Sequence, residues 1–205
     1  MPKVKVKRKS TAIDMTPMSD VMVLLLTFFM LTTTFIQKEP VQVTTPASVS
    51  DIKIPETNVL QILVDKSGKI FLSLDKQEDR VAVLQKVGEQ YGVTFTPEQI
   101  NKFKLINSFG VPIAQMPDFL NLSTEEQDQI LRNYGVPIDS TDNQFKVWVQ
   151  QARQQNGKGL ILAIKADGNT PYPVIHEVMS SLQDLRENRY NLITSLKTVK
   201  SDELE

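Results

Sequence analysis

The stretch from Ile13 to Ile36 reads IDMTPMSDVMVLLLTFFMLTTTFI and is the one strongly apolar run in the chain. Leu24-Leu25-Leu26 and Phe28-Phe29 leave no polar face. A helix apolar all round does not belong on the surface of a soluble domain. Met18 to Ile36 is 19 residues, roughly 28 Å of helix at 1.5 Å per residue, close to the ~30 Å hydrocarbon thickness of a bilayer. Pro17 suits a first helical turn, where its missing N–H costs nothing. A single transmembrane helix over 15–36 is the first expectation.

A basic arm, residues 1–14, stands before it. Lys3, Lys5, Lys7, Arg8 and Lys9 precede the first acid, Asp14. The positive-inside rule then predicts a cytoplasmic N-terminus. A cleaved signal peptide is the competing reading, but no small-x-small site follows Thr32-Thr33-Thr34 closely.

Asp20 is the carboxylate inside the leading edge of the run. It can be a cap, since Ser19 or Asp20 would meet free N–H groups and the positive end of the helix dipole. It can also be an acid that works below the membrane surface. A carboxylate there costs ~2.5–3.5 kcal/mol on insertion scales, so such residues mark ion paths. Asp20, Thr27 and Thr34 are spaced by seven and drift only about 20° per heptad, which puts them on one face. A polar stripe on such a helix needs a partner to face, although threonines also bond back to their own backbone.

The run Asp14-Met-Thr16-Pro17-Met-Ser-Asp20-Val-Met-Val-Leu-Leu-Leu-Thr27-Phe-Phe-Met resembles the signature of the ExbD/TolR family. That signature is a Thr-Pro lead-in, here Thr16 and Pro17, then a membrane Asp three residues later and an aliphatic run. The continuation Thr-Phe-Phe-Met-Leu-Thr-Thr looks most like ExbD-type sequences of the Bacteroidetes group. Ser19 departs from the pattern, since many members carry an apolar residue there. The resemblance implies a bacterial inner-membrane subunit, single-pass, whose soluble domain is periplasmic. It implies two copies inside a ring of an ExbB/TolQ-type polytopic subunit and a TonB-type periplasmic protein as output. Asp20 would be the proton-carrying residue. Protons are the coupling ion, and no other cofactor is expected.

Composition narrows the alternatives. The 205 residues carry a net charge of -1, which argues against nucleic acid as the main partner. There are no cysteines, so disulfides, Cys-based metal sites and a Cys nucleophile are excluded. His176 is the single histidine, which rules out a His-rich metal site within one chain. No phosphate loop, hydrolase triad or metal-ligand spacing is present. His176 and Glu177 are adjacent on a predicted helix and point about 100° apart, so they do not converge. The chain is not expected to be an enzyme.

Residues 37–58 hold Pro40, Pro46 and Pro55 without apolar periodicity and read as an extended tether, in which Val41-Gln42-Val43 can pair as a strand with a partner. A soluble α+β domain is expected over 59–197, a small sheet with helices on one face. Val59 to Val64 and Lys69 to Leu74 flank Asp65-Lys66-Ser67-Gly68, a hairpin pattern. Leu160 to Lys165 reads as a strand, Val174 to Glu187 as a helix after Pro171 and Pro173, and Tyr190 to Leu196 as a last strand. Asp167 after the strand reads as turn chemistry. The tail 198–205 is charged. These patterns resemble the periplasmic domain of the family, more loosely than the membrane segment does.

That family domain is compact, whereas here an insert of about 76–142 intervenes. Helices are predicted over Asp79 to Gln90, from Thr96, and from the capping box Ser123-Thr-Glu-Glu126 to Arg132. A further helix, Asn143 to Gln155 with Trp148, resembles the family's first periplasmic helix. Tyr91-Gly-Val, Phe109-Gly-Val and Tyr134-Gly-Val echo one another and read as three helix C-caps, with a docking surface as the alternative.

The reading that joins these features is an ExbD-like motor subunit, driven by the proton gradient, that energises TonB-dependent outer-membrane transport. Two rivals stand beside it. One is a TolR-like subunit for envelope integrity. The other is a membrane-anchored periplasmic binding protein with no proton role, its helix held only by lipid.

Overall fold

Two stretches rich in Val, Ile, Leu and Phe, joined by the five residues 65–69, begin the folded domain. In the computed structural model they are β2 (Val59–Val64) and β3 (Ile70–Leu74), antiparallel, with Val64 opposite Ile70. Gly68 stands at φ 80°, where a side chain is strained. The Asp65 carboxylate accepts from the Lys66 N–H at 2.7 Å and the Ser67 hydroxyl at 2.8 Å and fixes the turn. The expected hairpin is therefore present.

The structure describes residues 15–33, 43–45, 47–48, 57–139, 142–193 and 195–196. The basic arm, Thr34 to Ile36, Val41-Gln42 and the tail lie outside the described residues. The chain divides into two units, Met1–Gln37 and Lys38–Glu205. The first contains α1 (Thr16–Thr32).

In the second unit, β2 also pairs in parallel with β4 (Ile161–Ala166), and β4 with β5 (Tyr190–Leu192). The order β3-β2-β4-β5 makes a small mixed sheet. Together with its helices this is an α+β domain. β4 leads through α7 (Tyr172–Asp184) to β5. One sheet face carries Leu60, Ile62, Ile70, Leu72, Leu162 and Ile164, all buried. On the opposite face Leu63 and Phe71 are buried too. A sheet with one wet face would alternate more cleanly. The reason is local: Gly110 lies on the Phe71 ring.

Three of the predicted insert helices are found as α2 (Gln77–Tyr91), α3 (Pro97–Leu105) and α5 (Thr124–Leu131). Thr96 and Gln99 exchange side-chain and main-chain bonds in a capping box at the start of α3. The sequence reading places no element over 113–121, where the structure has a 3-10 turn and α4 (Met116–Asn121). The predicted helix after Asn143 is α6 (Gln144–Asn156). Its Trp148 lies against Phe109 and Phe103, with ring centroids 4.6 and 6.5 Å away. Insert and sheet thus share one core, in which Val83, Leu84 and Val87 of α2 are also fully buried.

Two expectations need correction. Of the three aromatic-Gly-Val sites, only Gly92 is a left-handed helix cap, at φ 69°. Phe109 instead exchanges both main-chain bonds with Leu72, and the Val136 N–H donates to the Ile70 carbonyl. Both segments cover the outer edge of β3, which would otherwise present unpaired backbone groups. The second correction concerns the tether. Part of it is attached: β1 (Ala47–Ser48) pairs in parallel with β6 (Ser195–Leu196), beyond a break at Ile193 in the predicted last strand.

Candidate functional site

The local sequence explains where α1 begins. Pro17 occupies the first turn, and the Ser19 N–H donates to the Met15 carbonyl at 3.0 Å. Met15 stands at the cap position without a side-chain bond, and the first turn holds no acid. The capping reading of Ser19 and Asp20 is thereby overturned. Asp20 is the fifth residue of α1, past the free N–H groups that a cap would satisfy.

No residue of α1 is buried. Its apolar side chains stand open over all sides, from Leu25 at 50% to Leu31 at 87% exposure. Thr33 is extended, so the described helix stops at Thr32 and not at Ile36. At 17 residues α1 is roughly 25 Å long, and among the described residues no helix is long and apolar enough to cross a membrane.

Thr27 lies two turns beyond Asp20 on the same side, about 10 Å along the axis. Its hydroxyl donates to the Leu24 carbonyl at 2.9 Å, so its hydrogen bond is already spent on the helix itself. Thr32 does the same with Phe28 at 2.8 Å. Thr34, the third member of the expected stripe, lies outside the described residues. What α1 presents is one acid on a greasy cylinder, with a self-satisfied threonine beneath it.

A family profile described as "Biopolymer transport protein ExbD/TolR" matches residues 6–197, which takes in α1, the sheet and the insert. The chain belongs to the ExbD/TolR family. No curated protein and no solved structure gives a significant match. Membership makes the chain a biopolymer-transport family protein.

In this ExbD/TolR-family domain one functional candidate was not legible as such in the sequence. Asp167, in the turn after β4, is 7% exposed. One of its oxygens accepts from the Asn169 N–H at 2.9 Å, which is the expected turn chemistry. The other accepts from the Thr44 N–H at 2.9 Å, and the Gly168 N–H returns a bond of 3.0 Å to the Thr44 carbonyl. The Asn169 and Thr44 N–H groups hold the Asp167 carboxyl below its ordinary value of 3.8. This pins the segment that leads out of the tether. An Asp-Gly pair after a strand is the only signal, and it names no partner.

His176 is exposed and lies beside the Tyr172 ring, at 6.1 Å between centroids. It converges with no acid. Among the described residues no three His, Asp or Glu side chains are placed to hold a metal ion.

Proposed function

We propose that the chain is the ExbD-type subunit of a proton-driven motor in the bacterial inner membrane. One observation carries the reading. A helix with every apolar side chain exposed has a single carboxylate, Asp20, that is not used as a cap. Exposed apolar surface of this extent needs lipid or protein around it. An acid in such surroundings comes at a cost, and residues of this kind mark ion and proton paths.

On this reading α1 lies in the bilayer, with the basic arm cytoplasmic and the α+β domain periplasmic. Two copies stand within a ring of an ExbB-type subunit, whose wall completes the site around Asp20. Uptake of a proton removes the Asp20 charge and frees α1 to shift against that wall, and release resets it. The tether and domain pass the motion to a TonB-type protein. Family membership supports this class of work, and Thr27 offers only a weak relay because its hydroxyl already bonds Leu24.

The test is Asp20→Asn in the native host. Energised uptake of vitamin B12 or iron chelates is lost, while the polytopic partner still co-purifies in mild detergent. Retained uptake rejects the motor role. Deletion that leaves uptake intact but disturbs division and the outer membrane assigns the protein to the TolR-like branch.

A further inference from the structure

The turn from α7 to β5 carries a side chain that its backbone does not favour. Arg186 stands at φ 60°, in the left-handed region. Its N–H donates to the Gln183 carbonyl at 2.8 Å, and the Glu187 N–H donates to the Leu182 carbonyl at 2.9 Å. These two bonds close a helix in the form that glycine usually completes. A residue with a Cβ is strained there. A cation near a helix C-terminus gains from the dipole, but one within the last turn would gain it without strain, and α7 has no basic residue in its last turn.

Arg186 borders an open cleft of about 980 Å³ at the start of β4 and β5. Three arginines, Arg153, Arg186 and Arg189, and one acid, Glu187, line it. The acid is already spent. Arg153 donates to both Glu187 oxygens, from Nε at 2.6 Å and from Nη2 at 2.5 Å. Its Nη1 donates to the Gly157 and Leu160 carbonyls at 3.0 and 2.8 Å. Arg153 and Glu187 thus form a neutral floor. Arg186 and Arg189 are exposed, and neither forms a hydrogen bond or ion pair among the described residues. The cleft therefore holds two uncompensated positive charges beside the half-buried Ile161 and Tyr190. Such a lining suits an extended acidic segment with an apolar side chain better than a bare anion.

The chain carries a segment of that composition. Residues 201–205 read Ser-Asp-Glu-Leu-Glu, with Asp202, Glu203 and Glu205 around Leu204. Tyr190 at the cleft and Leu196 at the end of β6 are six residues apart, at most roughly 20 Å. The eight residues from Leu196 to Leu204 span up to roughly 27 Å, so the acids can return to the cleft. Attachment at this range gives a millimolar effective concentration, at which weak exposed ion pairs suffice.

We propose that the acidic segment 201–205 docks in this cleft of its own chain. Two of its carboxylates pair with Arg186 and Arg189, and Leu204 lies against Ile161 and Tyr190. The inference concerns the α+β domain alone and does not depend on what α1 does in a membrane.

The chain has no cysteine, so two can be introduced without background. The test uses the full chain in nanodiscs with Asn188→Cys at the cleft and Ser201→Cys beside the acids, closed by a short bismaleimide. A control chain pairs Ser201→Cys with Glu98→Cys, at an exposed position on α3. The expected result is cross-linking within one chain, about tenfold faster than in the control. Arg186→Gly with Arg189→Gln removes both charges and gives the turn the residue its backbone favours, so the fold is kept. It slows cross-linking about threefold or more, the scale of two exposed ion pairs. Asp202→Asn with Glu203→Gln and Glu205→Gln slows it equally, as does sodium chloride at about 0.5 M. The proposal is overturned if the rate equals that of the control, or if either set of charge removals leaves it unchanged. Cross-links that form chiefly between two chains, seen as dimers on a denaturing gel, overturn it as well.

Discussion

The Asp167 carboxylate accepts a 2.9 Å hydrogen bond from the main-chain N–H of Thr44, 123 positions earlier in the chain. With the Gly168 N–H donating to the Thr44 carbonyl, the two bonds clasp one residue of the tether by its backbone. The clasp reads no side chain at position 44, and it holds the tether just before the β1–β6 pairing.

Asp167→Ala is therefore expected to speed hydrogen exchange of the Thr44 amide by about tenfold, the effect of one lost charge-assisted bond. The β2–β4 core should exchange at its parental rate. Unchanged exchange at Thr44 would show that the clasp does not hold the tether in solution.

The same clasp has a definite pH dependence. The folded Asp167 carboxyl is held below 3.8, chiefly by the Asn169 and Thr44 N–H groups. A depressed acid contributes stability that is full above its unfolded value and is lost as pH falls through the folded one. The tether should stay clasped through neutral and mildly acidic solution and release only below 3.8. Exchange of Thr44 measured across this range checks the sign, and release on raising the pH contradicts it.

For α1, the proposed motor and a plain anchor differ in a helix exchange. Replacing residues 16–32 with a Leu/Ala helix should leave the protein in the membrane fraction and abolish energised uptake. Restoring Asp20 alone in that helix should bring back part of the activity. Full activity without Asp20 would assign α1 to anchoring only.

Arg80 is 5% exposed and donates to the Ile106, Asp75 and Lys104 carbonyls, the last two at 3.2 and 3.5 Å. Burial pushes its guanidinium below the ordinary value, and Asp75 opposes that shift. Arg80→Ala leaves buried carbonyls without donors, so urea denaturation should show a loss of about 2–4 kcal/mol. Because Arg80 ties the 104–106 segment to α2, that segment should loosen with it.

Two glycines of the echoed motif should respond differently. A Cβ at Gly110 would stand 2.2 Å from the Phe71 ring, whereas at Gly92 nothing lies within 4 Å. Gly92→Ala should cost about 1 kcal/mol, for its left-handed backbone alone. Gly110→Ala should cost about 1–3 kcal/mol through overpacking. Thermal unfolding of the two variants gives the comparison, and the reverse order would contradict the packing.

Much of this architecture is legible in the order of residues. Asp65-Lys66-Ser67-Gly68 between two apolar runs specifies a hairpin, because a tight turn needs a positive φ that Gly68 can adopt. Thr96-Pro97-Glu98-Gln99 specifies a helix start, because the Thr96 and Gln99 side chains each accept from the other's backbone N–H. The all-round apolarity of the run around Asp20 specifies an unpartnered helix. These are local signals, complete within a few residues.

What escaped the sequence depends on groups that meet across long separations. Phe109-Gly110-Val111 and Tyr134-Gly135-Val136 look like Tyr91-Gly92-Val93, yet only the last caps a helix. The other two find the edge of β3, and a glycine that admits an aromatic ring is indistinguishable in sequence from one that turns a chain. Asp167 shows turn chemistry to its neighbours and a clasp to Thr44, since a carboxylate has two oxygens and the sequence accounts for one. The sequence by itself determined the apolar helix with its acid, the hairpin and the helix starts, all set by bonds of short range. Only the tertiary structure decided which edge the insert covers and that Asp167 meets Thr44, because those groups lie far apart in the chain and meet only once it has folded.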